Sequence, residues 1–271
     1  MKIAVLVTCF NRCDKTKKFI RSLTIKNPKI EFEFLIVDGG SSDGTIEMLE
    51  NLKNIFSIRI IKGNDLYYSQ GMRLAMQELK ETKKIYDFIL IANDDVELFN
   101  ESIEKMCYLS EKKGGAVIVG ATCDQNGNYT YGGIKYYSGI KYKNIDIHSD
   151  EKCDTFNANA VIIPFQAFTV TNIIDKVYIH SLGDFDYGFS LSKSGYSIYS
   201  SNEYVGICER NSILGGLQDS SLSRIERFRL KESPKGFPFL PWFVFLYKNF
   251  GIRCAIWHSI TPYIKIILKK W

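Results

Sequence analysis

Two adjacent carboxylates follow an apolar run near the middle of the chain. Asp94 and Asp95 come after Phe88–Ala92, with Asn93 between the run and the acids. Carboxylate oxygens are hard ligands that suit Mg²⁺ or Mn²⁺, and these ions often bind substrate phosphates at the same time. The cluster predicts a metal-binding turn. A solvated turn at a strand end is the simpler alternative.

A second cluster, from Asp38 to Thr45, combines acids with glycines and serines. A carboxylate here can accept a hydrogen bond from the ring N–H of uracil or thymine, and the glycines let a ligand approach the backbone. The same residue types also form ordinary capped turns. The cluster therefore predicts either a pyrimidine-binding loop or a plain turn.

Two acids, Asp184 and Asp186, stand at the beginning of a predicted helix that starts at Gly183. A helix N-terminus stabilises negative charge whether or not the acid takes part in chemistry. An ionised Asp within hydrogen-bond reach of an acceptor hydroxyl can serve as a general base.

Earlier in the chain, Asp65 and Arg73 flank a loop-to-helix junction, where a cation could stabilise a departing diphosphate.

Short β-branched runs alternate with amphipathic segments through the first half of the chain, a pattern typical of βαβ units and a mainly parallel sheet. The predicted strands are Ile3–Val7, Phe32–Val37, Ile58–Lys62, Phe88–Ala92 and Ala116–Gly120, with a later one over Asn157–Ile163. The predicted helices are Asp14–Ile25, Thr45–Lys53, Ser69–Thr82 and Ser102–Lys113. The polar clusters follow the strands, so we expect them to meet at one edge of the sheet.

Composition limits the classes of function. The 271 residues carry a net charge of +5, too mild to indicate nucleic-acid binding without a motif, and no such motif is present. No Gly-x-Gly-x-x-Gly follows the first strand and no Walker-type loop occurs, which disfavours dehydrogenases and kinases. Seven scattered cysteines favour reduced thiols and a cytoplasmic location.

The chain divides into a predicted catalytic domain over residues 1–207 and a basic, aromatic extension over 208–271. Its last part, Phe237–Trp271, mixes large apolar residues with Lys248, Arg253, Lys265, Lys269 and Lys270. Such a segment can lie on the inner face of the cell membrane or pack as a helix on the catalytic domain or a second subunit. We expect a helical tail and leave these alternatives open.

Taken together, these clusters resemble the inverting glycosyltransferases of family 2, and in particular the rhamnosyltransferase-like branch. The resemblance covers roughly residues 2–200 and depends on several motifs in the same order. It implies the GT-A fold, a UDP- or dTDP-type nucleotide-sugar donor, Mn²⁺ or Mg²⁺ as cofactor, and a glycan or lipid-linked acceptor. It also implies a role in bacterial polysaccharide or glycolipid assembly.

The resemblance also implies roles for individual residues. The segment Thr8-Cys9-Phe10-Asn11-Arg12 is similar to the family's first nucleotide-contact motif, so Thr8, Phe10, Asn11 and Arg12 would contact the donor. Asp38 would bind the pyrimidine, Asp94 would approach the ribose or sugar, and Asp95 would bind the metal. Asp184 would be the base, with Asp186 on the acceptor side. The sequence departs from the family pattern at Asn93 and Ser190.

Two other classes of protein share this architecture. A noncatalytic nucleotide-sugar-binding protein would bind donor without turnover, and the departures at Asn93 and Ser190 favour it. A sugar nucleotidyltransferase would need a glycine-rich, basic loop after the first strand, and Thr8–Arg12 has no glycine.

Overall fold

The computed structural model describes residues 1–210, 217, 219 and 221–268. Its strands are β1 (Lys2–Cys9), β2 (Glu31–Asp38), β3 (Ser57–Lys62), β4 (Phe88–Ala92), β5 (Glu97–Leu98), β6 (Val117–Cys123), β7 (Gly133–Ser138), β8 (Lys141–Asn144), β9 (Lys152–Cys153), β10 (Thr155–Phe156), β11 (Ala160–Pro164) and β12 (Ile198–Ile207). Its helices are α1 (Cys13–Lys26), α2 (Thr45–Leu52), α3 (Tyr68–Glu81), α4 (Ser102–Lys112), α5 (Phe165–Val170), α6 (Gly183–Lys193), α7 (Arg224–Glu232), α8 (Phe239–Phe250) and α9 (Ile252–Leu268).

The main sheet has the order β3-β2-β1-β4-β11-β6-β12-β5, with β9 paired to β12. Strands β3, β2, β1 and β4 are parallel, and β11 lies antiparallel between β4 and β6. The central strands are continuous apolar runs because helices cover both faces of the sheet. The predicted α/β class with a mainly parallel sheet is confirmed.

The two faces of the sheet are covered by different sets of helices. One face packs against α1, α2 and α4, and the other packs against α3, α5, α6 and α8. A smaller sheet, in the order β10-β7-β8, contains the antiparallel hairpin of β7 and β8. Helices α3 and α6 therefore share one side of the main sheet, and each begins in a segment that carries predicted site residues.

Strand β12 was not predicted from the sequence. Its middle contains Ser200, Ser201 and Asn202, and its pairing with β6 shifts register on both sides of Tyr204. The polar residues interrupt the apolar alternation that marks a strand, so the pattern is hidden. The short elements β5, β9, β10 and α5 were not predicted either, and the boundaries that were predicted agree with the structure within a few residues.

The predicted helical tail is present as α8 and α9, although Lys269 and Lys270 lie outside the described residues. Within the described part of the chain, no helix has the length and apolar character needed to cross a bilayer. Helix α9 contains Pro262, which has no N–H to donate to the carbonyl of His258. The indole N–H of Trp242 in α8 donates to that carbonyl instead, at 3.1 Å, and so fastens the two helices together.

Candidate functional site

The loops after β1 and β2 form one hydrogen-bonded unit. The backbone N–H of Asn11 donates to Ser41 Oγ at 2.8 Å, and the backbone N–H of Ser42 donates to Asn11 Oδ1 at 2.8 Å. Asn11 has a φ of 51°, in the left-handed region that Asn tolerates better than most residues. The two motifs predicted to contact the nucleotide therefore lie side by side.

Asp38 lies at the base of this unit and is almost fully buried. Its Oδ2 accepts hydrogen bonds from the backbone N–H groups of Gly40 and Ser41, at 3.0 and 2.9 Å. Its Oδ1 has only the weak thiol donor of Cys9, at 3.7 Å, among the described residues. One oxygen of Asp38 thus fixes the loop, and the other keeps acceptor capacity for a ligand.

Phe10, Asp65 and Thr8 lie around the same unit. The Phe10 side chain is 53% exposed, so its ring is accessible to a ligand. Asp65 is exposed and lies beside Gly40, where a Cβ added to the glycine would be 3.6 Å from Asp65 Oδ1. Thr8 packs on Gly71 of α3 so closely that a Cβ there would be 2.9 Å from Thr8 Cγ2.

Arg12 bridges the two acids that follow β4. Its Nη1 lies 2.7 Å from Asp94 Oδ1 and 3.0 Å from Asp95 Oδ2. Thr16, one helical turn after Arg12, donates to Asp94 Oδ2 at 2.7 Å. Burial raises the pKa of Asp94 above its ordinary value, although the bonds from Thr16 and Arg12 favour its ionised form. The two acids thus share one resident guanidinium, which leaves one negative charge uncompensated when both are ionised.

Asp95 differs from Asp94 in its access to solvent. The Asp95 side chain is 36% exposed, whereas that of Asp94 is 2% exposed. Among the described residues, Asp95 Oδ1 has no hydrogen-bond partner, and no three His, Cys, Asp or Glu side chains cluster to enclose a metal. Magnesium and manganese commonly bind through one or two carboxylates together with substrate phosphates. The carboxylate of Asp95 therefore fits a metal ion that binds together with substrate phosphates.

Asp184 lies in the first turn of α6, directly after Leu182 and Gly183. Its Oδ2 accepts from the backbone N–H of Ala158 at 3.2 Å, and its Oδ1 accepts from the backbone N–H of Phe185 at 2.9 Å. Burial raises the pKa of Asp184 to about 6, against the opposing effect of these hydrogen bonds. A carboxylate with this pKa is mainly ionised at neutral pH and can still accept a proton.

Tyr68, at the first position of α3, connects the two acidic regions. Burial is the main cause that raises the pKa of its hydroxyl, and the charges of Asp184 and Asp95 raise it further. On the other side, burial and then the charges of Asp38 and Asp94 raise the pKa of Cys9. Because these effects require proximity, the structure brings Asp38, Asp94, Asp95 and Asp184 to one region above the sheet edge.

Arg73 is turned toward the segment that precedes α6. Its Nε donates to the backbone carbonyl of Ile174 at 3.2 Å. The start of α3 contacts this segment as well, because Ser69 Oγ donates to the carbonyl of His180 at 2.6 Å. Arg73 therefore helps to hold the segment that leads to Asp184, and its contact with a diphosphate stays a prediction.

The acceptor-side role implied for Asp186 stays a prediction, and the structure shows that its carboxylate contacts the tail. Its side chain is 4% exposed, with Lys248 Nζ 2.5 Å from Oδ2 and Asn249 Nδ2 3.0 Å from Oδ1. Both partners belong to α8. Positions two residues apart on a helix face different directions, so Asp184 and Asp186 leave α6 on different sides. Asp186 thus connects α6 to the tail.

Sequence reasoning gave no role to Thr16, Tyr68 or Asn159. Asn159 Oδ1 accepts from Asn93 Nδ2 at 2.6 Å, which joins the loop after β4 to the start of β11. Thr16 has one sequence signal, its position four residues after Arg12 on a predicted helix. The contacts of Tyr68 and Asn159 join distant segments and leave no local signal.

Comparison with known proteins agrees with this geometry. The family model described as Glycosyl transferase family 2 matches residues 4–176, well over half of the chain. The chain belongs to glycosyltransferase family 2. No curated protein matches it in sequence.

Solved structures of other glycosyltransferases share the fold. TarS 1-349 from S. aureus, in complex with UDP-GlcNAc, is 14% identical with a TM-score of 0.58, over 98% of this chain and 72% of that chain. The mannosyltransferase PcManGT from Pyrobaculum calidifontis, in complex with GDP-Man and Mn²⁺, is 10% identical with a TM-score of 0.58, over 98% and 74% of the two chains. This family 2 glycosyltransferase therefore has the predicted GT-A fold.

The Asp186 contact gives a testable consequence for stability. Lys248→Met is expected to lower the free energy of unfolding by about 2 kcal/mol, because it leaves a buried carboxylate without its cation. Urea unfolding followed by circular dichroism measures this change. Lys141→Met is the control, since Lys141 is exposed and has no ion pair among the described residues, and it is expected to change stability by less than about 0.5 kcal/mol. Equal effects of the two variants would contradict the structural role.

Proposed function

We propose that this glycosyltransferase moves a sugar from a UDP- or dTDP-type donor to an acceptor hydroxyl and inverts the anomeric configuration. One observation carries the proposal: Asp184 accepts a hydrogen bond from the backbone of Ala158, and the neighbouring Asn159 is bonded to Asn93, two residues before the solvent-accessible Asp95. A base and a phosphate-side carboxylate would then face the same bound donor and acceptor. The proximity of Asp38 and Asp94 through Cys9 supports a nucleotide on the adjoining side.

The nucleotide part of the donor would bind at the joined loops after β1 and β2. Asp38 Oδ1 can accept the ring N–H of a pyrimidine, and the exposed Phe10 ring offers a surface for stacking. Thr8, Asn11 and Asp65 would complete the base and ribose contacts, and Asp94 would approach the ribose or sugar. The guanidinium of Arg12 contacts Asp94 and Asp95, and it can also reach a phosphate placed beside them.

The diphosphate would lie next to Asp95, with Mn²⁺ or Mg²⁺ held by its carboxylate. The ion, when bound, neutralises charge that develops on the departing nucleoside diphosphate. Arg12 supplies a fixed positive charge on the same side. Arg73 would reach the diphosphate only through guanidinium nitrogens not engaged with the Ile174 carbonyl.

Asp184 would remove the proton from the acceptor hydroxyl as its oxygen attacks the anomeric carbon. The new C–O bond forms while the bond from that carbon to the phosphate oxygen breaks, and the electron pair leaves with the nucleoside diphosphate. The acceptor proton ends on the Asp184 carboxyl. Because attack comes from the side opposite the leaving group, the configuration inverts.

A donor panel tests this proposal. Purified protein is incubated with UDP-, dTDP- and GDP-sugars, with Mn²⁺ or with EDTA, and release of nucleoside diphosphate is measured. We expect release from a UDP- or dTDP-sugar, and a loss of at least about tenfold without metal, because stabilisation of the leaving charge contributes several kcal/mol. Proton NMR of the first product formed with an acceptor would show inverted anomeric configuration.

Three results would contradict the proposal. Binding of donors without any product would indicate the noncatalytic alternative. Release of pyrophosphate from a nucleoside triphosphate and a sugar phosphate would indicate a nucleotidyltransferase. Retained configuration would exclude the direct displacement at Asp184. The same proposal includes a glycan or a lipid-linked molecule as the acceptor. It also includes a cytoplasmic role in the assembly of bacterial cell-wall polysaccharide or glycolipid.

A further inference from the structure

Helix α9 turns its most apolar side toward solvent. The side that packs on the protein carries Ala255, Ser259 and Ile266. The outward side, here called the α9 face, is 48–69% exposed at each of Ile252, Ile256, Trp257, Ile260, Ile264 and Ile267. At about 100° per residue, these six side chains fall within an arc of about 140°, which also contains the exposed Arg253 at the beginning of the helix. A surface helix normally buries such an apolar stripe, so the α9 face is built to contact another apolar phase.

The direction of this face is fixed by the packing of α9 on α8. Trp242 donates to the carbonyl of His258 on the inner side, and Ala255 and Ser259 are small enough for close approach. Helix α8 is in turn tied to α6 through Lys248 and Asp186. The outward exposure of the α9 face is therefore a property of the packed protein and does not reflect a loosely attached helix.

The charge composition of the tail sequence indicates the partner of the α9 face. From Ser233 to the last residue the sequence contains no Asp or Glu, whereas it contains Lys235, Lys248, Arg253, Lys265, Lys269 and Lys270. Two copies of this segment facing each other would bring like charges together, which opposes a self-association interface. Anionic lipid headgroups attract such a basic segment, and the acyl region accepts the isoleucine stripe.

Aromatic residues at the edge of the face agree with an interfacial position. Trp257 is 69% exposed and Tyr247 is 56% exposed, and both ring types favour the boundary between lipid and water. Phe239 is also exposed, and its ring centroid lies 6.3 Å from that of Tyr263 in α9. The apolar surface thus extends from α9 to the beginning of α8.

We propose that the α9 face binds an anionic membrane surface, with α9 lying along the headgroup boundary. The partner is a lipid bilayer that carries negative headgroups. The inference needs no turnover, so it stands or falls separately from the chemistry proposed above. If both hold, a lipid-linked acceptor would meet the enzyme at the surface to which α9 binds.

Co-sedimentation of the full chain with vesicles tests this proposal. We expect binding to vesicles of equal parts phosphatidylcholine and phosphatidylglycerol, and at least about tenfold weaker binding to phosphatidylcholine alone. The triple variant Ile256→Ser, Trp257→Ser, Ile260→Ser should weaken binding to the mixed vesicles by about tenfold or more, since affinity scales with buried apolar area. Arg253→Gln with Lys265→Gln should weaken binding mainly at low salt.

Matched controls lie on the catalytic domain. Ile25, Ile55 and Ile85 are 74, 67 and 80% exposed, so their triple replacement by Ser removes similar exposed apolar surface away from α9. Lys15→Gln with Lys141→Gln is the control for charge, and thermal unfolding checks that all variants are folded. Equal losses in test and control variants would overturn the proposal. It would also fall if the protein bound neither vesicle, or if the α9 variant converted a dimer to a monomer and left vesicle binding unchanged.

Discussion

Asp184→Asn is expected to lower kcat by about a hundredfold to ten-thousandfold, the range typical for loss of a general base. The amide cannot accept the acceptor proton, although it is close to the carboxylate in shape. Donor binding should change little, because Asp184 is proposed to contact the acceptor hydroxyl. Steady-state kinetics on the donor identified by the panel, with acceptor in excess, measures the effect.

The pH dependence of the wild type provides an independent test of the same residue. Burial raises the pKa of Asp184 to about 6. A base must be unprotonated to work, so kcat should rise with pH through about 6 and level off above it. The residual activity of Asp184→Asn should lack this rise.

Stability should show the opposite trend. The pKa of Asp184 in the folded state is about 6, above the ordinary value of 3.8 that applies in the unfolded chain. At a pH between these two values, Asp184 is therefore protonated in the folded protein and ionised in the unfolded chain. The free energy of unfolding therefore falls as pH rises from about 4 to 6, by up to about 3 kcal/mol from this group. The difference in stability between wild type and Asp184→Asn isolates the contribution.

Asp150→Asn is the control for these measurements. Asp150 is 93% exposed and pairs only with Lys113 among the described residues, so its variant should keep wild-type kcat and the wild-type pH profile. If Asp184→Asn retained more than about a tenth of wild-type kcat, or if its pH profile matched that of the wild type, Asp184 would not be the base.

Asp95→Ala is expected to lower kcat/KM by about a hundredfold to thousandfold, comparable to removal of one group that stabilises developing charge. Asp95 offers the accessible carboxylate oxygen beside Arg12, whereas Asp94 is buried and held by Thr16 and Arg12. The variant should also need a higher Mn²⁺ concentration for half-maximal activity. A titration of initial rate against Mn²⁺ measures both quantities.

Glu97→Ala provides the matched control, since Glu97 is an acid two residues away. Its side chain is 52% exposed and pairs with Lys18 at 3.2 Å, an arrangement that contributes little to stability or to the site. Its kinetic constants should stay within about twofold of wild type. An Asp95→Ala variant with an unchanged Mn²⁺ dependence would remove Asp95 from the metal-binding role.

The sequence was informative wherever a site residue directly follows a strand. Asp38 and Asp94 stand at the ends of apolar runs, and parallel strands bring such ends to one edge, so their convergence could be predicted without coordinates. The roles of Asp38, Asp95 and Asp184 in chemistry remain predictions. The positions of these side chains are what the structure adds.

Contacts between distant segments could not be predicted. Asp186 and Lys248 are separated by 62 residues, and nothing local to either indicates the pairing. Strand β12 was missed because its polar centre breaks the alternation, although burial by β6 and the helices stabilises it as a strand. Tertiary packing determines both the Asp186–Lys248 pairing and strand β12, and the local sequence pattern contains no information about that packing.

The guanidinium of Arg12 has a further consequence for the order in which ligands arrive. A cation tethered to the protein next to Asp94 and Asp95 competes with any free cation at a high effective concentration. A diphosphate offers the guanidinium a second set of anionic oxygens, which relieves that competition. Entry of the nucleotide sugar should therefore precede or accompany uptake of the divalent ion, and a resting enzyme without donor should hold such ions only weakly.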